Sequence, residues 1–326
     1  MHLTPENISN KKILISPLDW GMGHTTRCVG LIKTLLSNSN EIIFAGNNLQ
    51  IQFITREFPD VKTIFLEGYN ISLDSKKSTY WQVFSQINKI SKALKHEQEF
   101  AEKISIEEKI DIIISDNRYG FYSKNSTNIL ITHQLNLQIP KWKSTANKKL
   151  KQLIEKFDIC WIPDSVSKPI CCELTNANLS IPKIHIGHLS RFNKGNAVPL
   201  SWGEGLGVRY ENLAIISGPE PERSRFAKNL IAYLKKQTGK TAIVGIGGKE
   251  SSIDFFENPS TQELEHLIHQ SETIISRAGY TTIMEMISLE KKAILIPTPG
   301  QYEQEYLAEM IKSDWIIFKT EKEFFG

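Results

Sequence analysis

Residues 12–27 of the chain read KILISPLDWGMGHTTR. The stretch begins with an apolar run at residues 12–16, passes through a glycine turn at residues 19–24 and continues with apolar residues at helical spacing. Those apolar residues are Val29, Leu31, Ile32, Leu35 and Leu36. An apolar run, a glycine turn and a 3.6-residue period in this order predict a strand, a loop and a helix.

The same alternation repeats along most of the chain. Further strands are predicted at residues 41–45, 63–66, 110–115, 129–132, 160–162, 214–218, 241–246, 273–276 and 293–297. Helices are predicted at residues 49–58, 81–103, 223–237, 263–269 and 281–288. The strands lack a polar face, which is typical of a parallel sheet covered by helices on both sides. The sequence therefore predicts an α/β fold of doubly wound, Rossmann-like units.

The chain length favours two domains, because 326 residues is about twice the length of a typical domain. A segment that is rich in glycine and proline, with little apolar periodicity, separates two series of strands and helices. We predict an N-terminal domain at residues 1–187, a linker at 188–211 and a C-terminal domain at 212–326. Such folds bind ligands at the carboxyl ends of their strands, so we expect a ligand in a cleft between the two domains.

The composition is that of an ordinary globular protein, with 40% hydrophobic and 23% charged residues. The four cysteines, Cys28, Cys160, Cys171 and Cys172, form neither a disulfide framework nor the paired spacing of a zinc site. We therefore expect reduced thiols in a cytoplasmic protein. Neither a signal peptide nor a membrane-spanning run is expected from the distribution of apolar residues.

The net charge of +3 is too small to indicate binding of nucleic acid, but the charge is unevenly placed. Residues 1–160 carry 21 Lys and Arg against 16 Asp and Glu. In this basic half, Trp142 lies among lysines of the segment 140–151. An interfacial aromatic residue among lysines suits peripheral contact with the cytoplasmic face of a membrane, and a solvated helix face is the alternative.

The turn Gly21-Met22-Gly23-His24 follows the first predicted strand. Its backbone N–H groups and the start of the next helix could therefore face an anionic ligand. The turn is not a dinucleotide fingerprint, because Thr26 replaces the third glycine and Gly46-Asn47-Asn48 replaces the acidic residue that binds a ribose. No P-loop motif occurs in the chain. We therefore expect no nicotinamide or flavin cofactor.

Polar residues that follow the predicted strands are the candidates for acid–base chemistry. His24 could act as a general base near neutral pH, or it could cap or pack against the helix. Asp116 could serve as the base or orient His24, and Arg118 could bind an acceptor phosphate. The alternative for this segment is an Asx turn with an exposed arginine. His133, after the next strand, is a weaker candidate of the same kind.

Two loops in the C-terminal half have a more specific pattern. Residues 276–285, SRAGYTTIME, join a strand to a helix and place Glu285 eight positions after Arg277. Residues 297–305, PTPGQYEQE, follow the next strand and are rich in Gln and Glu. The pattern resembles the C-terminal domain of glycosyltransferase family 28, which includes the N-acetylglucosaminyltransferase of peptidoglycan synthesis.

The resemblance extends to three other segments. They are residues 216–223, ISGPEPER, residues 21–27, GMGHTTR, and residues 187–191, GHLSR. The resemblance implies the GT-B architecture, in which two Rossmann-like domains bind a nucleotide-sugar donor and an acceptor. It implies no divalent metal, because helix N-termini and basic groups can stabilise the leaving nucleoside diphosphate. The absence of an Asp-x-Asp motif agrees with this expectation.

The resemblance also implies roles for individual residues. Glu285 would accept hydrogen bonds from the ribose hydroxyls, and Gln301, Glu303 and Gln304 would bind the sugar hydroxyls. The expected diphosphate site consists of Ser217, Gly218, Arg223, Gly279, Tyr280 and Thr281. Arg277 either adds charge to that site or is a structural ion-pair partner. The expected acceptor side consists of Gly21, Gly23, Arg27, Asn117, Arg118 and His133.

The implied function is inverting, metal-independent transfer of a sugar from a UDP-sugar, such as UDP-N-acetylglucosamine. The acceptor would be a hydroxyl or phosphate-bearing molecule, and a lipid-linked molecule is one option. His24 is the first candidate for the base and Asp19 the second. A UDP-sugar 2-epimerase of the same fold and a non-catalytic sugar-nucleotide-binding protein are the alternatives.

Some features depart from the family pattern. The chain ends at Gly326, whereas GT-B enzymes commonly continue through a C-terminal helix that returns to the first domain, so we expect domain closure to differ. Asp19-Trp20 and Glu305 replace residues of the peptidoglycan enzyme. The acceptor and, to a lesser degree, the sugar are therefore left open.

Overall fold

The computed structural model describes residues 3–69, 87–139, 142–167, 169–192 and 209–326. Contacts divide the chain into two compact units. The first unit contains the chain up to Trp20 and His24–Leu189, and the second contains Gly21–Gly23 and Ser190–Gly326. Each unit is built around its own parallel sheet.

The first unit contains seven described strands. They are β1 (Lys12–Pro17), β2 (Glu41–Gly46), β3 (Lys62–Phe65), β4 (Ile112–Asp116), β5 (Thr127–Ile131), β6 (Ile159–Ile162) and β7 (Lys183–His185). Its described α-helices are α1 (Gly23–Ser37), α2 (Asn48–Glu57), α3 (Ile87–Glu107) and α4 (Lys143–Ile154). The strand order β3-β2-β1-β4-β5-β6-β7 is that of a doubly wound sheet.

The packing of the central strand β1 explains why its sequence is apolar throughout. Ile13 and Ile15 pack on one side of the sheet with Leu31 and Leu35 of α1. Leu14 points to the other side and packs with Ala101 of α3. Because successive strand residues face opposite sides, a strand covered by helices on both sides needs apolar residues at every position.

The second unit contains six described strands and five α-helices. The strands are β8 (Tyr210–Ile215), β9 (Thr241–Val244), β10 (Ile253–Phe256), β11 (Ser271–Arg277), β12 (Ala293–Ile296) and β13 (Ile316–Phe318). The helices are α5 (Glu222–Leu234), α6 (Thr261–Gln270), α7 (Tyr280–Ser288), α8 (Tyr302–Met310) and α9 (Glu321–Phe325). The strand order is β10-β9-β8-β11-β12-β13, and all neighbours are parallel.

The predicted α/β class with two doubly wound units is confirmed, and each predicted strand overlaps an observed one. Several elements were not predicted, namely β7, β10, β13 and α9, and α4 was given only as the alternative of a solvated helix face. The short strand β7 buries only Ile184, and α4 buries only Leu150 and Ile154, so neither produces a clear apolar period. Elements that bury so few side chains leave little signal in the sequence.

The prediction of a linker over residues 188–211 is wrong at its C-terminal end. Tyr210 and Glu211 are the first residues of β8, where Tyr210 pairs with Ser271 of β11. Because β8 begins with polar residues, the apolar pattern of the sequence did not indicate where the strand starts. Residues 193–208 of the predicted linker lie outside the described residues, as do residues 81–86 of a predicted helix and Pro140 and Lys141 of the lysine segment.

Two expectations from composition can be compared with the structure. Cys28, Cys160 and Cys171 are buried free thiols. Among the helices that the structure describes, none has the length and apolar character needed to cross a bilayer.

Candidate active site

The carboxyl edge of the first sheet brings predicted site residues together. Pro17 at the end of β1 pairs with Asp116 at the end of β4, and Asp116 pairs with Ile131 at the end of β5. The loops that follow these three strands therefore start side by side. This register explains how His24, Asp116 and His133, which are far apart in sequence, lie in one region.

Asp116 is the centre of this cluster and is fully buried. His24 Nδ1 lies 3.0 Å from its Oδ1 atom. Arg27 Nε donates to Oδ2 at 2.5 Å, and Arg27 Nη2 donates to Oδ1. His24 and Arg27 lie three residues apart on α1, so the helix presents both side chains to the same carboxylate.

Burial favours a neutral imidazole at His24. Burial alone would raise the pKa of Asp116, but Arg27 and His24 hold the pKa of this carboxyl well below its usual range. Burial lowers the pKa of His24, although Asp116 opposes that shift. An ionised Asp116 accepts the Nδ1–H of a neutral His24, which makes Nε2 the proton-accepting nitrogen of the ring.

Asn117 and His133 complete the edge of the sheet. Asn117 has a left-handed backbone with φ of 59°, and its backbone N–H donates to Ile131 at 3.1 Å. His133 is buried, and its positive charge when protonated lowers the pKa of His24.

Arg118 lies in the interior of the first unit, so the prediction of an exposed arginine is wrong. Its side chain is fully buried; Nη1 donates to Glu97 Oε1 at 2.8 Å and Nε donates to the Pro17 carbonyl at 2.9 Å. The prediction that this side chain binds an acceptor phosphate does not fit these contacts. Arg118 instead ties α3 to the loop that follows β1.

Asp19, the second candidate for the base, lies in that loop. Its carboxylate accepts the backbone N–H of Tyr69 at 3.4 Å and lies 3.9 Å from Arg118 Nη2. The hydroxyl of Tyr69 in turn donates to Glu97 Oε2 at 2.8 Å. A side chain at Gly68 would meet Asp19 at 1.9 Å, so glycine is required there for this close approach.

Glu97 and Tyr69 were missed by the sequence analysis. A signal existed for Glu97, because it lies four and seven residues before Ala101 and Ile104 on the apolar face of α3. An acidic residue on a buried face needs a cationic partner. The spacing does not identify Arg118 as that partner, because the two residues belong to different elements.

In the second unit, Glu285 lies on α7 and is only 4% exposed. Arg191 donates to both of its oxygens, from Nε to Oε1 at 2.8 Å and from Nη2 to Oε2 at 3.3 Å. Burial raises the pKa of Glu285, and the charge and hydrogen bonds of Arg191 oppose that shift. In the sequence, Arg191 belongs to the segment 187–191, and nothing in that segment indicates Glu285 as its partner.

The predicted diphosphate residues follow two adjacent strands. Ile215 of β8 pairs with Ser276 of β11, so the segments that follow these strands begin side by side. Gly218 has a left-handed φ of 106°, and Ser217 is exposed. Gly279 is the N-cap of α7, and Tyr280 and Thr281 form its first turn. Their backbone N–H groups lie at the positive end of the helix dipole.

Two arginines near these segments contact the protein itself. Arg223, in the first turn of α5, donates from Nη2 to the Gly245 carbonyl. Arg277 is buried; its Nη2 donates to Glu321 Oε1 at 2.5 Å, and its guanidinium lies 4.0 Å from the centre of the Phe226 ring. Arg277 is therefore a structural ion-pair partner, which is the second of its two predicted roles.

The Gln-rich and Glu-rich loop before α8 is organised by its own side chains. Gln304 Oε1 accepts the backbone N–H of Thr298 at 2.8 Å, and Gln304 Nε2 donates to Gln301 Oε1 at 2.5 Å. Glu305 accepts the backbone N–H of Gly300 at 2.9 Å. Glu303 lies in the first turn of α8. These bonds fix the loop in one shape.

Within the described part of the chain, no group of three or more His, Cys, Asp or Glu side chains is placed to hold a metal ion. Trp142, the aromatic residue of the lysine segment, is 68% exposed at the start of α4.

Comparison with known proteins identifies the class. The glycosyltransferase family 28 C-terminal domain matches residues 223–314. A UDP-N-acetylglucosamine--N-acetylmuramyl-(pentapeptide) pyrophosphoryl-undecaprenol N-acetylglucosamine transferase of Staphylococcus aureus is 27% identical over 300 residues, which cover 85% of this chain and 76% of the relative.

Solved structures agree with the fold. Arabidopsis thaliana UGT89C1, complexed with UDP-L-rhamnose, has a TM-score of 0.62 at 12% identity, and Acinetobacter baumannii MurG has a TM-score of 0.52 at 11% identity. Both matches cover 96% of this chain and 86% of the compared chain. The chain is thus a glycosyltransferase built on the GT-B fold, and its residues 223–314 match the family 28 C-terminal domain.

Proposed function

We propose that this glycosyltransferase is an inverting enzyme that needs no metal and that transfers N-acetylglucosamine from UDP-N-acetylglucosamine to a lipid-linked acceptor. The name of the Staphylococcus aureus relative supports both the donor and the kind of acceptor. The His24 cluster of the first unit supports the chemistry. The uncapped start of α7 and the buried carboxylate of Glu285 support the binding of the donor.

The observation that favours transfer most is the hydrogen bond between His24 and the fully buried, ionised Asp116. In the proposed step, His24 Nε2 takes the proton of the acceptor hydroxyl as its oxygen attacks the anomeric carbon. The bond between that carbon and the phosphate oxygen breaks, and UDP leaves with the electron pair. Asp116 stabilises the imidazolium that forms, and Arg27 keeps Asp116 ionised.

Donor binding is assigned to the second unit. Glu285 accepts hydrogen bonds from the ribose hydroxyls, while Ser217, Gly218 and the backbone N–H groups of Gly279, Tyr280 and Thr281 bind the diphosphate. Arg223 adds positive charge near the same segment. The start of α7 stabilises the negative charge that develops on the leaving UDP, because the N-terminal end of a helix favours anions. Gln301, Glu303 and Gln304 are assigned to the sugar.

The test is the variant His24→Ala, with Asp19→Asn as the rival and the exposed His185→Ala as the matched control. We expect His24→Ala to lower kcat by about 10²- to 10⁴-fold, the usual contribution of a general base, and to leave UDP affinity within about twofold. Transfer is measured as UDP release with the lipid-linked acceptor of the Staphylococcus aureus relative. A larger loss in Asp19→Asn than in His24→Ala would make Asp19 the base.

The same assay separates the proposal from the epimerase alternative. Wild-type enzyme incubated with UDP-N-acetylglucosamine alone should leave the sugar configuration unchanged, which NMR of the anomeric and C2 protons can establish. Formation of the 2-epimer without an acceptor would replace the proposed function. Binding of UDP without any transfer or hydrolysis, whichever acceptor is supplied, would favour a non-catalytic sugar-nucleotide-binding protein.

We also propose peripheral contact between the start of α4 and an anionic bilayer. The exposed Trp142 and the lysines at positions 143, 148, 149 and 151 support it, because indole rings lie at the interface and lysines attract anionic headgroups. Co-sedimentation with phosphatidylglycerol vesicles should fall severalfold in Trp142→Ala. Equal sedimentation of the variant would leave α4 as a solvated helix.

A further inference from the structure

The donor side of the proposed function depends on a carboxylate that another residue holds in place. We propose that Arg191 is a positioning residue for the donor: it keeps the Glu285 carboxylate charged and oriented, so that both oxygens can receive the vicinal hydroxyls of the ribose. This inference rests on the proposed function, because it assumes that Glu285 binds the nucleotide.

The Glu285 carboxylate keeps acceptor capacity for a diol while it binds Arg191. Arg191 Nε and Nη2 donate to different oxygens of Glu285, at 2.8 and 3.3 Å, in a forked arrangement. Each carboxylate oxygen has two lone pairs, so each can accept one further hydrogen bond. Two neighbouring hydroxyls present two donors at a similar spacing. The carboxylate can thus bind the arginine and the diol at the same time.

Burial explains why the arginine is needed. The Glu285 side chain is 5% exposed and the Arg191 side chain is 14% exposed. Ile283, Met284 and Met286 surround Glu285 in sequence and are fully buried, so α7 supplies no polar partner from these positions. A carboxylate in such surroundings takes up a proton unless a cation holds it ionised. A protonated carboxyl group is a weaker acceptor for two hydroxyls.

Among the described residues, Arg191 is the charged group that acts on Glu285. Burial raises the pKa of Glu285, and Arg191 opposes this shift through its charge and its hydrogen bonds. Removal of Arg191 leaves burial unopposed. The pKa of Glu285 should therefore move further up, toward the pH at which the enzyme works, and the acceptor for the ribose should be lost in part.

Arg191 is itself held in place. Its guanidinium lies 5.0 Å from the centre of the Phe192 ring, and Phe192 is buried. The backbone N–H of Phe192 donates to Ser190 Oγ at 3.1 Å. A guanidinium stacked on a fixed ring loses little further freedom when it binds a carboxylate. The short segment from Ser190 to Phe192 thus fixes the orientation of Glu285.

The experiment measures the affinity of two probes, UDP and 2′,3′-dideoxy-UDP, which lacks the diol. Calorimetric titrations are made at several values between about pH 6 and about pH 9, all above the ordinary carboxyl pKa of about 4. The variants are Arg191→Ala, Arg191→Lys, Glu285→Gln and the Arg191→Ala/Glu285→Gln pair. Arg209→Ala, an exposed arginine of the same unit, is the matched control. Thermal unfolding of each variant establishes that it is folded.

In wild type, loss of the diol should weaken binding about tenfold or more at every pH, as expected for a charge-assisted acceptor. In Arg191→Ala the preference for UDP over the dideoxy probe should nearly vanish near neutral pH and return as the pH rises and Glu285 ionises. Arg191→Lys should keep most of the preference. The double variant should bind UDP no more weakly than Glu285→Gln alone, because both changes remove one function.

Three results would overturn the proposal. Wild-type UDP affinity in Arg191→Ala would mean that Glu285 needs no support. Tighter binding in that variant would mean that Arg191 competes with the nucleotide for the carboxylate. A loss independent of pH and equal for both probes would mean that Arg191 contacts the nucleotide elsewhere. If Glu285 does not bind the ribose at all, Glu285→Gln should keep the full preference for UDP over the dideoxy probe. This result distinguishes a failure of the donor assignment from the three results above.

Discussion

Asp116 in the first unit and Glu285 in the second are both buried carboxylates, yet their surroundings act on them differently. Asp116 accepts two hydrogen bonds from the Arg27 guanidinium and lies 3.0 Å from His24 Nδ1, and its pKa lies well below the usual range. Glu285 is bound by Arg191 alone, and its pKa is raised. The imidazole that Asp116 has in addition to a guanidinium therefore distinguishes the carboxylate whose pKa is lowered from the one whose pKa burial raises.

The comparison suggests a division of tasks. A carboxylate that stays ionised under all working conditions suits Asp116, which must stabilise a charged imidazole during the proposed transfer. A carboxylate whose charge depends on one arginine suits a binding role. Loss of that charge would lower the affinity for the ligand. The predictions below test whether the two carboxylates differ in this way.

The largest effect is expected for Asp116→Asn. The change leaves the buried Arg27 guanidinium without an anion, which should destabilise the fold by about 3–5 kcal/mol. It should also lower kcat by at least about 10²-fold, because His24 loses the group that orients it and supports its charge. Urea unfolding and the transfer assay measure the two losses, and Asp60→Asn, in the exposed turn between α2 and β3, is the control.

The pH profile distinguishes positioning from a merely structural role for Asp116. Asp116 raises the pKa of His24, so its removal should shift the acid limb of the kcat profile to lower pH. A variant that is less stable but keeps the wild-type profile would show that Asp116 supports the fold and not the base.

The residues of the Asp116 cluster could be predicted from the sequence, whereas the partner of Glu285 could not. His24 and Asp116 follow strongly apolar strands, and the carboxyl ends of parallel strands meet at one edge of a sheet. Arg191 and Glu285 are 94 residues apart, and Arg191 lies in a segment without apolar periodicity. The local sequence does not indicate which buried charged residues form an ion pair.

The same limit applies to small elements of the fold. The central strands were predicted because every residue of β1 from Ile13 to Ser16 is buried, which requires a continuous run. The edge strand β13 has only three residues, and Ile317 is 58% exposed. Such a strand is held by pairing with β12 and not by its own apolar face, so the sequence pattern does not show it.

Glu97 is a third buried carboxylate. It has one cationic partner, Arg118, and two neutral donors, the Tyr69 hydroxyl and the Gly120 N–H. Burial raises its pKa in spite of these three partners. Glu97 therefore resembles Glu285, which also has one guanidinium partner and a raised pKa.

Glu97→Gln should destabilise the fold by about 3 kcal/mol, because the fully buried Arg118 loses its hydrogen-bonded anion and Asp19 lies 3.9 Å from its Nη2 atom. Since Arg118 also binds the Pro17 carbonyl before Asp19, we expect a modest loss of kcat, within about tenfold. Glu99→Gln on the exposed face of α3 is the control in urea unfolding. Stability equal to that of wild type would show that Arg118 finds another partner.

Asp116 and Glu285 should also make opposite contributions to the dependence of stability on pH. The depressed pKa of Asp116 stabilises the fold above the unfolded pKa of about 4, and this contribution is lost as the pH falls. The raised pKa of Glu285 means that the folded state binds its proton more tightly than the unfolded state. Its contribution therefore becomes more favourable as the pH falls from neutral toward about 4.

Urea unfolding over this pH range tests the two signs. Relative to Glu285→Gln, wild type should gain stability as the pH falls from neutral toward about 4. Relative to Asp116→Asn, wild type should lose stability below about pH 4. Parallel curves for wild type and Glu285→Gln would mean that Arg191 keeps the pKa of Glu285 at its ordinary value.

The smallest effects are expected where the same kind of ion pair reaches the surface. Glu321 of α9 binds the buried Arg277 and also the half-exposed Arg225 of α5. Arg225→Ala should change the free energy of unfolding by less than about 1 kcal/mol, because exposed pairs contribute little. Glu321→Ala should destabilise by more, on the order of 2–3 kcal/mol, because the buried Arg277 guanidinium loses its anion. Equal effects of the two variants in urea unfolding would mean that Phe226 and the Pro297 carbonyl are sufficient for Arg277. In that case the burial of an arginine would not by itself indicate that the stability of the fold depends on its anionic partner.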